Sequence, residues 1–167
     1  MKKTKLMRRI IVLTLFIFYI YTMLRIILFK FHWRDMDFLM YQLQQNLGNP
    51  ENLLYQLQRG NLTPFETIFI NIERLSGWHD LSNLVGNIVA FIPFGIFLVL
   101  LSKMSFIRVL AGTFCFSLCL ECLQVLFSVG IFDVDDLILN TFGGLLGYWV
   151  IKVNDKVYCK YIMQSPS

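Results

Sequence analysis

The chain has 167 residues, of which 56% are hydrophobic and 16% charged, with a net charge of +4 and a mean hydropathy of +0.60. That is far more apolar than a soluble domain needs, and the apolar residues gather in stretches of about 20, the length that crosses a bilayer core. A soluble globular domain is excluded, and the excess of bases follows the flanks of these stretches, so it implies no nucleic-acid partner.

The pattern predicts an all-α polytopic membrane protein, a single domain over 1–167. Four transmembrane helices are expected at about 10–31, 81–101, 106–127 and 136–153. An external loop (32–80) would carry short amphipathic interfacial helices, and 154–167 would be a cytoplasmic tail. MKKTKLMRR could open a signal peptide, but no small-residue cleavage site follows it, so span one is read as an uncleaved helix. Arg25 interrupts that span and can snorkel to an interface. Lys2, Lys3, Lys5, Arg8 and Arg9 precede span one, Lys103 and Arg108 flank the turn after span two, and Lys152, Lys156 and Lys160 follow span four. With four spans these bases share one side, so both termini are expected on the cytoplasmic side.

In the loop, LMYQLQQN (39–46) is echoed fourteen residues later by LLYQLQRGN (53–61), with the turn signal GNP (48–50) between them. Two short surface helices are predicted; a duplication and a chance likeness of Gln/Leu-rich helix formers both account for the echo. In LTPFETIFINIERLSG, Thr63 reads as an N-cap, Pro64 as the first helical residue and Glu66 as its capping-box partner. Phe65, Ile68, Phe69 and Ile72 recur at helical spacing, an apolar face suited to the outer interface, and Trp33 and Trp78 suit the same depth.

Span two carries Asn83 and Asn87 on one face. Its Pro93 removes a backbone donor and crowds the Val89 carbonyl, predicting a kink, with Gly95 just beyond. Span three carries Ser117, Glu121, Gln124 and Ser128 within about 60° of arc, with Glu121 roughly 9 Å from the outer end. Cys115, Cys119 and Cys122 share that span. Their spacing could bind metal, but small packing residues are the plainer reading, and no disulfide framework is available. Span four opens with Asp133, Asp136 and Asn140 on one face, continued by Gly143 and Gly147, a Gly-x-x-x-Gly that admits a close helix of this chain or of a homodimer partner.

Three helices thus offer polar groups at similar depth, which predicts one outward-facing polar pocket. Plainer roles exist for the parts: the aspartates as caps of span four, Asn83 and Asn87 as interhelical glue. Glu121 is harder to explain away, since an intramembrane acid costs roughly 2.5–3.5 kcal/mol at mid-bilayer and must be protonated or paired. Arg59 and Arg74 are the candidate bases, and Asn87 and Asn140 the candidate donors.

RGNLTPF (59–65), NLVGNIVAFIPFG (83–95), ECLQ (121–124) and FDVDDLILNTFGGLLG (132–147) together resemble the VanZ-like family of bacterial membrane proteins. The family pattern falls on Arg59, Asn61, Pro64, Asn83, Asn87, Pro93, Gly95, Glu121, Gln124, Asp133, Asp136 and Asn140. Two departures stand out: Ile131 occupies the place before the aspartate motif where many members have arginine, and 32–58 looks longer than usual. The resemblance implies an envelope role with lowered susceptibility to teicoplanin-type lipoglycopeptides, and no settled reaction.

Two functions fit. In the first, a non-enzymatic protein embedded in the lipid bilayer holds a lipid-linked cell-wall precursor, or the glycopeptide itself, in the pocket. In the second, an intramembrane hydrolase or transferase uses Glu121 as general acid and Asp133 or Asp136 as base. No cofactor is implied. A divalent cation on the acids is conceivable, but His32 and His79 both lie in the loop, and no nucleophile or phosphate-loop motif is present. A transporter subunit is limited by size and lacks an inverted repeat.

Overall fold

The computed structural model describes residues 2–28, 36–73 and 78–164, with side chains placed over 3–26, 36–73 and 83–154. Within them the chain is helical: α1 (Lys2–Leu28), α2 (Met36–Gly48), α3 (Pro50–Gln58), α4 (Glu66–Glu73), α5 (Trp78–Ser102), α6 (Phe106–Leu126) and α7 (Val134–Gln164). The only departure from helix and loop among the described residues is one isolated parallel bridge, Asn61 to Asp133.

Three helices contain segments long and apolar enough to cross a membrane: Lys3–Ile26, Asn83–Ser102 and Phe106–Leu126. They coincide with three of the four expected spans. The fourth, α7, is a long helix but is not among them. Its 31 residues spend one face on Asp136, Asn140 and three glycines, and Tyr148 and Lys152 dilute the rest. A helix whose inward stripe is small and polar loses mean hydropathy without losing its outward apolar face, where Phe142, Trp149, Val150 and Val153 are exposed.

The glycines explain the packing. A Cβ on Gly143 would run into the Ile88 carbonyl, one on Gly147 into the Ile92 carbonyl, and one on Gly95 into the Gly144 carbonyl. The Gly-x-x-x-Gly stripe is therefore spent inside one chain, bringing the α5 and α7 backbones together. It leaves no argument for a homodimer through these glycines. On its other side, Gly144 abuts Thr113 of α6, which is fully buried and donates to the Val109 carbonyl at 2.8 Å.

The apolar centre lies among α1, α5 and α6, where Met23, Phe91, Phe94 and Leu120 are buried and Phe16, Ile20 and Phe116 pack around them. Phe94 and Phe116 stack at 4.4 Å. Pro93 sits within α5, which remains one helix through it. In the same turn Tyr19 of α1 donates its hydroxyl to the Ala90 carbonyl at 2.7 Å. Neighbouring helices tending a proline-weakened turn is how such residues are tolerated in apolar surroundings. Cys115, Cys119 and Cys122 are free and exposed along α6, while Ser117 and Glu121 occupy its buried face.

The predicted pair of loop helices is present as α2 and α3, with Pro50 at the start of α3. The end of α6 is tied off by two backbone bonds, Ser128 N–H to the Val125 carbonyl and Val129 N–H to the Gln124 carbonyl. This is a Schellman closure, with Ser128 in the left-handed position (φ 51°) where glycine is usual.

Candidate functional site

At the end of the bundle where α6 finishes and α7 begins, the RGN segment docks on the FDVDD segment. Asn61 N–H donates to the Phe132 carbonyl at 2.9 Å, and Val134 N–H donates to the Asn61 carbonyl at 3.0 Å. Gly60 permits the approach: a Cβ there would stand 2.7 Å from the Phe132 carbonyl oxygen. The Asn61 side chain completes the junction, its Nδ2 donating to Thr67 Oγ1 at 2.8 Å and to Asp133 Oδ1 at 3.0 Å.

Asp133 caps α7. Its Oδ1 accepts the Asp135 N–H at 2.8 Å, and its Oδ2 accepts the Thr67 hydroxyl at 2.8 Å. The backbone N–H of Asp133 donates to Glu121 Oε2 at 3.2 Å, which ties α6 to the same point. One aspartate therefore links the loop, α6 and the start of α7, and the capping role applies to it.

The capping box expected at Thr63 does not form. Helix α4 begins at Glu66, two residues later than the expected start at Pro64, and Pro64 and Phe65 form a turn in which Phe65 adopts a positive φ of 70°. The Thr63 N–H instead donates to Asn61 Oδ1 at 2.9 Å. The cap comes from another helix: Asp135 Oδ1 accepts from Phe65 N–H at 2.5 Å, and Oδ2 from Ile68 N–H at 3.1 Å. Asp135 is fully buried, at 0% exposure. A carboxylate brought to a helix N-terminus satisfies otherwise orphaned N–H groups and complements the dipole. A left-handed Phe costs about 1–2 kcal/mol, which the charge-assisted bonds at 1.5–3 kcal/mol each offset.

Further along α7, Asp136 Oδ1 accepts from Asn87 Nδ2 of α5. Asn140 Nδ2 donates to Ser117 Oγ of α6 at 2.8 Å. Asn61, Glu121 and Asp133 thus meet at one junction, while Asn87 with Asp136 and Asn140 with Ser117 tie α7 to α5 and α6 further along. Three expected members take no part. Asn83 is exposed and joins none of these bonds, Gln124 packs beneath Gly130, and Arg59 lies exposed with its guanidinium 5.8 Å from the Tyr55 ring. Arg74, the other base considered for Glu121, lies outside the described residues. Among the described residues, no three His, Cys, Asp or Glu side chains are grouped to hold a metal ion. Two buried oxygens, Asn140 Oδ1 and Thr141 Oγ1, have no donor.

In the comparison with known families, VanZ/LLP1 matches residues 16–155. The chain belongs to the VanZ/LLP1 family. It is also similar to protein VanZ of Enterococcus faecium, 30% identical over 118 residues, 70% of this chain. The chain spans just under two thirds of that relative, 66% of its length. No solved structure matches it.

In this VanZ/LLP1 member the family pattern picked out the hydrogen-bonded junction but passed over Asp135, Thr67 and Asn46. Asp135 was visible only as one acid in a row of three. Asn46 is nearly fully buried and donates through Nδ2 to the Leu126 carbonyl at 2.8 Å and to Ser128 Oγ at 2.9 Å. It thereby caps α6 from α2. Asn46→Ala is expected to cost about 1–3 kcal/mol, the desolvation penalty of a carbonyl left without its donor; a midpoint of unfolding in detergent equal to wild type would contradict it.

Proposed function

We propose that this VanZ/LLP1 member crosses the bacterial cytoplasmic membrane four times, with α7 as the fourth span and both termini cytoplasmic. In this reading it lowers susceptibility to teicoplanin-type glycopeptides. An outward-facing polar site built from Glu121, Asp133, Asp136, Asn87 and Asn140, with Asn61 beside it, engages a lipid-linked or wall-derived ligand. What supports the reading is that acids and amides tie the loop and α6 to the start of α7 and α5 to α7 at Asp136, and that two buried oxygens on α7, Asn140 Oδ1 and Thr141 Oγ1, have no hydrogen-bond partner among the described residues. Buried acceptors without partners are rare and call for an explanation. A ligand hydroxyl or amide supplies one.

The test is resistance. Glu121→Gln and Asp136→Asn, expressed in a sensitive Gram-positive host at equal membrane abundance, are expected to lose most of the protection against teicoplanin. One charged hydrogen bond, at 1.5–3 kcal/mol, corresponds to roughly tenfold or more in affinity. Protection unchanged in both variants removes the site from the mechanism. A second reading, a hydrolase or transferase acting on a lipid-linked precursor, draws support from Glu121 lying against the backbone of Asp133. Mass spectrometry of lipid-linked wall precursors separates the two, since only catalysis creates or removes a species.

A further inference from the structure

The extended segment before the junction builds a cleft of its own. Helices α2 and α3 form two walls and residues 128–131 the floor of a space of about 640 Å³. The near-repeat supplies matched residues to it: Tyr41 and Tyr55, and Gln42 and Gln56, each fourteen apart, line the same cleft from different helices. The two copies also end alike. Asn46 docks on Leu126 and Ser128, and its counterpart Gly60 docks on Phe132.

The floor is held in place before any ligand arrives. Ser128, in its left-handed conformation, accepts from both Asn46 Nδ2 at 2.9 Å and Gln56 Nε2 at 2.8 Å. A strained residue fixed by buried partners at the base of a cleft is the kind of backbone feature that accompanies binding sites. Above the floor the lining is free of carboxylates and lysines. It presents two half-exposed tyrosine rings, the amides of Gln42, Gln45 and Asn52, and one cation, Arg59.

We infer that this cleft is a binding site for an N-acetylated saccharide, separate from the carboxylate junction and independent of the function proposed there. Tyrosine offers rigid, amphipathic area at low entropic cost, on which the apolar face of a sugar ring can lie. Gln and Asn side chains pair donor and acceptor with an acetamido group, which itself carries one of each. The lack of acids suits a neutral ligand, and Arg59 accommodates a carboxylate or phosphate on it. An extended peptide is less suited, because such segments dock by adding to a sheet edge or filling an apolar groove, and these walls are helical and set with amides between the rings.

The full-length protein in nanodiscs, titrated with tri-N-acetylchitotriose and followed by saturation-transfer NMR, tests this. Saturable binding is expected, weakened at least about tenfold in Tyr41→Ala and in Tyr55→Ala, the size of an aromatic contact at the centre of a site. Both rings are more than half exposed, at 57% and 61%, so their removal leaves the fold intact. Gln45→Ala, also exposed, is expected to lower affinity for the acetylated sugar. No saturable binding, binding indifferent to both tyrosine variants, or equal affinity for maltotriose or tri-alanine overturns the inference.

Discussion

Asp135→Ala is expected to be the most damaging single substitution at the junction, costing about 3–6 kcal/mol from two charge-assisted hydrogen bonds at roughly 1.5–3 kcal/mol each. The carboxylate is fully buried and receives the N–H groups of Phe65 and Ile68. Without it, those donors have no acceptor, and the left-handed turn at Phe65 loses what holds it. Asp135→Asn is expected to cost about half as much, since one oxygen remains and the other becomes a donor facing a donor. Thermal unfolding in detergent gives the magnitude, and hydrogen exchange gives the place. The amides of Phe65 and Ile68 should exchange faster in the alanine variant while those of α6 do not. A wild-type midpoint for Asp135→Ala would mean that the α4 cap is not what keeps this region folded.

Gly95→Ala is expected to cost about 3 kcal/mol, the upper end of overpacking penalties. The added methyl would meet the carbonyl oxygen, carbonyl carbon and Cα of Gly144, all backbone atoms that cannot rotate aside. The two helices must separate to admit it, and Gly143 and Gly147 then lose their own close contacts. Gly86, on the same helix, is the internal control because a Cβ there meets nothing within 4 Å. Gly86→Ala should be neutral or stabilise by about 0.5–1 kcal/mol through helix propensity. Equal midpoints for the two variants would sink the packing account. Gly144→Ala falls between them, since its neighbour is the Thr113 side chain rather than backbone.

The long helices were legible because each is a run of apolar residues with bases gathered at one end, and bilayer thickness sets their length. The polar face of α6 was legible for the same kind of reason: an arc of Ser117, Glu121, Gln124 and Ser128 on an apolar cylinder has one way to point. What could not be read was which polar group each one meets. The local rule for a capping box fits Thr63, Pro64 and Glu66 well, yet it lost to a carboxylate some seventy residues away. Nothing in the spacing of LTPFE reports on the position of Asp135. Arg59 illustrates the reverse error, since charge complementarity assigned it to the acids whereas it lies over Tyr55. The repeat at 39–46 and 53–61 was seen but not interpretable, because similarity between two helices does not say that they face the same space.

The Asn61–Asp133 bridge has a bearing on how the protein is made. Residues 59–68 emerge from the ribosome early, but every acceptor and donor they dock on at the junction belongs to 132–135. Until α7 has been synthesised, the turn at Pro64 and Phe65 has no carboxylate to settle on. Maturation of this loop is therefore tied to synthesis of a segment some seventy residues downstream, and a nascent chain stopped short of residue 132 carries it in an unfinished form open to proteolysis.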